Sequence, residues 1–571
     1  MLKRKIFSLL AVIVAGLTNN YAQPAIYEAE NSNLSGTNIA SSHKGFSGTG
    51  YVTGFDNDGD KATFKITIEK EGNYQLFIGY SCPGGNKNNF VYINGTNQGS
   101  ILFPAKSSFT ELNVGKIWLN KGENTIEVIK EWGWFELDYV RIDNPTENVS
   151  WNISKSPVNK NATAEAKKLF SFLVDNFGKT SFSGQFMNED ISYTSANSEF
   201  TYIKDISGKY PAIYGADLID YSPTRVSRGS TSTATEDVIK WHKDEKGITS
   251  VMWHWNAPTD LIDQGDQLWW RGFYTEATTF DIAKVLSDTT SERYSLLISD
   301  IDAIAIQLKK LQAENIPILW RPLHEAEGKW FWWGAKGPEA CKKLWILLYN
   351  RLTYHHGINN LIWVWTTSDS NTAIDWYPGD EYVDILGVDV YLPEGDFGTS
   401  SFMFDNLRRM FNGRKLLTMS ENGPIPDPEK MFAQGAHWLY FSTWVGDHIK
   451  DNKYNPAVHI DEVFNHEKIT SLDEFNKLWE AYNYTNGLKG QSNDIKIYPV
   501  PFQNVLRINF SSSYVPEMIS LLDINGKTLK SISKEYICMN NTIILENIPK
   551  GIYFLHLKDE TGQKFYKVMK N

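Results

Sequence analysis

The rhythm of polar and apolar positions changes twice along the chain. Between residues 24 and 144 they alternate in short runs: KATFKITI at 61–68, YQLFIGYS at 74–81, NFVYING at 89–95 and NTIEVIK at 124–130. Glycine, asparagine and aspartate separate the runs. Such period-two runs predict strands with one buried face, and a series of them predicts a β-sandwich. The first strand carries YEAEN, which puts Glu28 and Glu30 on one face, and the last is read as WGWFELDYVRI, 132–142. A polar stretch at 145–161 reads as a linker.

From 162 to 485 helical segments, such as ATAEAKKLFSFLVDNFG at 162–178, alternate with eight short apolar runs. These lie at 180–186, 211–218, 248–255, 315–325, 360–366, 383–391, 415–421 and 437–444. Eight β/α units predict a closed (β/α)8 TIM barrel. Residues 492–571 return to short alternating strands, a second and smaller β-sandwich. The fold class is therefore multidomain: a β-sandwich, a barrel and a small β-sandwich.

The first 22 residues form a secretory signal: a basic start at Lys3, Arg4 and Lys5, an apolar run at 6–17 too short for a bilayer, and a small residue, Ala22, for cleavage. No other apolar run reaches membrane length, so a secreted or surface-attached chain is expected. With 56 basic against 67 acidic residues, the net charge of −11 argues against a nucleic-acid partner. Cys82, Cys341 and Cys538 lie too far apart to suggest a disulfide framework or metal cluster. A monomer is expected.

Twenty tryptophans fit carbohydrate stacking, although a large core would also absorb many of them, and their placement is informative. RPLHEAEGKWFWWG, 321–334, puts Glu325 at the end of the fourth strand, directly before Trp330, Phe331, Trp332 and Trp333. A carboxyl there can protonate a glycosidic oxygen while rings stack on apolar sugar faces. Glu421, in TMSENG, ends the seventh strand. Functional groups of such barrels sit at strand C-termini, so the two carboxyls meet across the barrel mouth. A retaining glycosidase needs them about 5–5.5 Å apart, one protonated and one ionised. The pair His324-Glu325 is no zinc motif, because Gly328 stands where the second histidine belongs. Trp253, Trp333, Trp363 and Trp365 are expected in the core.

RPLHEAEGKWFWWG, YPGDEYVDILGVDVY at 377–391 and TMSENG together resemble glycoside hydrolase family 26, mainly endo-β-1,4-mannanases. The resemblance implies Glu325 as acid/base and Glu421 as nucleophile, with no catalytic cofactor. His324 would contact the sugar and the nucleophile, Trp330 would stack on substrate, and Tyr391 would orient the nucleophile beside Asp389. Arg321 would brace the site; alternatively, Asp389 is simply a buried acid paired to it. Trp253 and His254 match a substrate-side motif, and Trp444 an aromatic floor. Many family mannanases carry Met-Asn after the acid/base; here Ala326-Glu327 follows. That leaves a β-1,3-1,4-glucanase, a xylanase or a surface glycan-binding protein as alternatives to β-mannan hydrolysis.

Residues 24–144 resemble carbohydrate-binding module family 35, which implies a jelly roll with a structural calcium at Glu28, Glu30 and Asp138. Trp132 and Trp134 are candidates for its sugar platform. YPVPF, DINGK, KGIYFL and the ending YKVMK resemble the sorting domain of the type IX secretion system, which implies that machinery as a partner.

Overall fold

The structure, a computed structural model, describes residues 25–571 except 134, 145–149, 189–190, 371, 490–494, 511–515, 525, 534–541 and 560–561. The residues read as a signal, Trp134 and Cys538 lie outside the described residues.

Two antiparallel sheets form the N-terminal sandwich, one of six strands and one of five. Inward positions of Lys61–Ile68, Gly72–Cys82, Lys87–Ile93 and Gly122–Trp132 supply its core, among them Phe64, Ile66, Leu76, Ile78, Val91 and Val128. Two local readings change. The run 132–142 is not one strand: Trp132 closes Gly122–Trp132, Gly133 turns at φ +77°, and the final strand is Glu136–Asp143. The first strand stops at Glu28, because Ala29–Asn31 winds into a 3-10 turn that buries Ala29. Glu30 therefore leaves from a turn rather than from a strand face.

Eight parallel strands form the barrel: Ser181–Phe186, Ile213–Asp217, Ile248–Trp253, Ile318–Pro322, Leu361–Thr366, Ile385–Val390, Leu416–Asn422 and Tyr440–Thr443. Pairing of the first strand with both the second and the eighth closes it. The strands are apolar without alternation because both faces are covered, by the barrel interior and by the outer helices. Each begins and ends within a few residues of its apolar run. The helices bury one stripe each; in Glu292–Ala313 it comprises Leu297, Ile301, Ile304, Leu308 and Leu311, and Ser291 caps the N-terminus.

Sandwich and barrel share an interface. Phe402, on the barrel helix Ser401–Met410, is buried in the sandwich core, and Arg409 donates to the Val114 carbonyl at 3.0 Å. Gly115 makes this approach possible: a Cβ there would lie 2.6 Å from Arg409 Nη2 and 3.0 Å from the Phe402 ring.

The C-terminal unit holds a three-stranded and a four-stranded antiparallel sheet around Phe502, Leu506, Ile519, Leu555 and Val568.

Candidate active site

The site is built at the C-terminal ends of the barrel strands. Arg321, on the fourth strand, is fully buried beneath it and satisfied on every side. Its Nε donates to Thr366 Oγ1 at 2.9 Å, its Nη1 to Glu421 Oε1 at 2.8 Å, and its Nη2 to Asp389 Oδ2. Asp389 also accepts from Ser420 Oγ at 2.8 Å. Arg321 thus braces the seventh strand's Glu421 and the sixth strand's Asp389 at once. The second oxygen of Glu421 accepts from the Tyr391 hydroxyl at 2.7 Å. With both oxygens held by donors, Glu421 is oriented as an anion.

Glu325 is not on the strand. The fourth strand ends at Pro322, and the chain then passes through left-handed backbone at Leu323, Glu325 and Lys329, with φ of 50°, 52° and 60°. Three non-glycine residues in this region within seven positions are backbone strain of the kind that clusters at functional sites. Gly328 lets the turn fold on itself: a Cβ there would fall 2.0 Å from the Trp330 ring. Trp330 then reaches back to donate its Nε1–H to Glu325 Oε2 at 2.9 Å, while leaving about half of its surface exposed. The long connection after the third strand clamps this segment, through Thr275 N–H to the Trp330 carbonyl at 2.7 Å and Trp332 N–H to the Phe273 carbonyl at 3.2 Å.

Glu325, Asp389 and Glu421 offer carboxylate oxygens that all lie within 4.8 Å of one another. One guanidinium cannot neutralise three such groups, so the cluster holds a proton. Burial and the charge of Glu421 raise Glu325 above the ordinary carboxylate range; Arg321 and the Trp330 N–H pull partly against this. Burial raises Asp389 too, with Arg321 opposing. A protonated carboxyl beside an anchored carboxylate can deliver a proton to a leaving oxygen while the other attacks the bonded carbon.

His254 and His324 meet beside this cluster, their Nε2 atoms 3.0 Å apart. Both are buried, and burial with Arg321 nearby holds His324 well below the ordinary imidazole range. Phe331 packs against both rings, and Trp444 lies 6.1 Å from His254. Trp253, Trp333, Trp363 and Trp365 are core. Glu327, the departure after the acid position, turns aside to bind Thr367 Oγ1 and the Ser368 N–H at 2.9 and 3.0 Å. Residue-type reasoning missed Asp217, Thr366 and Ser420, which hold the others in place. Asp217 ends the second strand, and that position was the available signal.

A TIM barrel with such a carboxylate pair, walled by tryptophan and histidine, defines a retaining glycoside hydrolase. Residues 158–474 match Glycosyl hydrolase family 26, and the chain belongs to that family. Residues 25–145 match Carbohydrate binding module (family 35), and residues 496–571 match a secretion system C-terminal sorting domain, which marks the chain for export or surface attachment. A mannan endo-1,4-β-mannosidase of Thermothelomyces thermophilus is 42% identical over 448 residues, 78% of this chain and 90% of the relative. The crystal structure of the Podospora anserina GH26-CBM35 β-(1,4)-mannanase is 43% identical, covering 80% of this chain and 99% of that one with a TM-score of 0.57. That of a ruminal GH26 endo-β-1,4-mannanase is 30% identical at the same coverage, with a TM-score of 0.64.

Proposed function

We propose that the barrel cleaves internal β-1,4-mannosidic bonds of mannan, galactomannan or glucomannan by double displacement. Glu421 attacks the anomeric carbon and Glu325 protonates the departing oxygen, which gives a covalent glycosyl-enzyme. Glu325, now ionised, then takes a proton from water as that water displaces Glu421. Arg321 and Tyr391 hold the nucleophile, Asp389 balances Arg321, and His254, His324, Trp330 and Trp444 contact sugar. The observation that carries this reading is the close approach of the Glu325 and Glu421 oxygens, within 4.8 Å, too near for the water an inverting enzyme admits. Reducing-sugar release on mannan, lichenan and xylan tests the substrate. Product from mannan is expected; release from lichenan or xylan alone would make the chain a glucanase or xylanase, and none from any would leave a glycan-binding protein.

Trp330 gives a separable prediction. Trp330→Ala should raise KM about fivefold, since stacking contributes on the order of 1 kcal/mol. Trp330→Phe keeps a ring but loses the N–H that lowers the Glu325 pKa. The alkaline limb of its kcat/KM profile should therefore move to higher pH, as a pH-rate series would read.

The sandwich is proposed to dock the enzyme on polysaccharide through Trp132, which is 65% exposed with Lys87 Nζ 4.8 Å from its ring. Its acidic corner fits Ca²⁺. Ser47 Oγ donates to Glu28 Oε1 at 2.8 Å, Thr49 N–H to Glu30 Oε1 at 2.6 Å, and Ser47 N–H to Asp138 Oδ1 at 2.9 Å. Glu28 Oε2 and Glu30 Oε2 are buried without a hydrogen-bond partner among the described residues. Burial, with the charges of Glu28 and Glu30, pushes Asp138 up to about 7. Hard oxygen donors from two chain segments suit that cation. Scanning calorimetry with EDTA should lower the sandwich transition, by about 2.7 kcal/mol relative to Ca²⁺ at a hundredfold excess over its Kd. No change would remove calcium from the account. Residues 1–22 are proposed as a cleaved signal, and the mature enzyme as a monomer.

A further inference from the structure

Asp217 ends the second barrel strand, and its side chain is buried. Its carboxylate only accepts. Oδ1 takes the backbone N–H groups of Ile219 and His254, each at 3.0 Å. Oδ2 faces the ring of His254, 2.5 Å from Nδ1. An ionised carboxylate has no proton to give, so Nδ1 of His254 must carry one. In the neutral ring Nε2 is then a bare acceptor. That atom lies 3.0 Å from Nε2 of His324, which must donate. The neutral His324 ring has its single proton at that contact. Its Nδ1 is left as a lone pair, buried and without a hydrogen-bond partner among the described residues.

We propose that Asp217 is a positioning residue for the reaction. It fixes the proton of His254 on Nδ1, thereby fixes that of His324 on Nε2, and presents His324 Nδ1 as the acceptor for a sugar hydroxyl. The tautomers of two rings just beyond the ends of two other strands are set by one carboxylate that never meets substrate. A histidine's second partner commonly decides which nitrogen bears the proton. The proposal rests on the reading of His324 as a sugar contact.

The arrangement makes Asp217→Asn a directed test. Two backbone N–H groups compete for Oδ1, so the asparagine carbonyl stays there and its NH₂ takes the place of Oδ2. An NH₂ facing Nδ1 of His254 makes that nitrogen an acceptor and sends its proton to Nε2. His254 then donates to His324, whose proton moves to Nδ1, and the sugar meets a donor where it needs an acceptor.

Ring ¹⁵N shifts of the full-length protein, selectively labelled at histidine and assigned with His254 and His324 variants, read both tautomers. The wild type is expected to show Nδ1–H at His254 and Nε2–H at His324, a result that does not depend on Asp217→Asn folding. Asp217→Asn should reverse both and lower kcat/KM on mannooligosaccharide roughly 10²-fold. His324→Ala, measured alongside, should lose at least as much. Either wild-type ring in the other tautomer, or doubly protonated, overturns the proposal, as does loss of activity in Asp217→Asn without reversal. Reversal with activity kept, while His324→Ala is crippled, overturns it too. If His324→Ala is also silent, it is the sugar contact that fails.

Discussion

Glu421→Ala is expected to lower kcat by at least about 10⁴-fold while oligosaccharide still binds. The variant loses the atom that forms the covalent bond, whereas the aromatic and histidine contacts with sugar remain. It should also fold. Arg321 loses one partner but keeps Asp389 and Thr366, so its buried charge is not orphaned. Azide separates this account from general damage. A small anion entering the space left by the carboxylate attacks the same face of the sugar, expelling the leaving group that Glu325 still protonates. The product would be a glycosyl azide of inverted, α configuration, with turnover of activated substrates partly restored. Isothermal titration on the variant, with anomeric analysis of the azide product, checks both statements. A variant that kept a tenth of its kcat would remove Glu421 as nucleophile, whatever its position in the barrel.

How far this site could be read from residues alone depended on the kind of constraint. The barrel was legible because parallel strands covered on both faces must be apolar throughout, and eight such runs among helices have few other solutions. Glu325 and Glu421 were legible because strand ends are where a barrel exposes chemistry. The left-handed path from Leu323 to Lys329 was not: nothing in Leu323, Glu325 or Lys329 requires positive φ, and only Gly328 and the clamp after the third strand make that path favourable. Asp217 was legible only as a carboxylate at a strand end. Its role depends on a hydrogen bond to a ring 37 positions away, a distance at which alternation and motif spacing say nothing. At the sandwich, Trp132 and the strand from Glu136 read as one run because tryptophan, phenylalanine and tyrosine all favour strands. Gly133 at φ +77° decides otherwise.

Glu325→Ala is expected to divide substrates by leaving group. Natural glycosidic oxygens depart as alkoxides unless protonated, so kcat/KM on mannooligosaccharide should fall about 10²–10⁴-fold, the usual contribution of a positioned acid. Aryl glycosides with strongly acidic phenols need no proton, and their first step should be nearly untouched. Their steady-state rate then becomes limited by hydrolysis of the glycosyl-enzyme, because the same carboxyl no longer serves as base. A burst of phenol should appear, and azide should relieve it with a product of retained, β configuration, opposite to that expected from Glu421→Ala. The pH dependence carries a further sign. Burial and the Glu421 charge raise the Glu325 pKa, so wild-type kcat/KM should decline as pH rises through that value, and the variant should lack that limb. The same shift acts on stability. A carboxyl bound to its proton more tightly in the folded chain than in the unfolded one stabilises the fold at low pH, and that contribution disappears as pH climbs from the unfolded pKa through the folded one. Glu325→Gln, which cannot ionise, should therefore melt higher than wild type at neutral pH and lose that advantage in acid. Equal losses on mannooligosaccharide and aryl glycoside, or an unchanged alkaline limb, would assign the proton to another group.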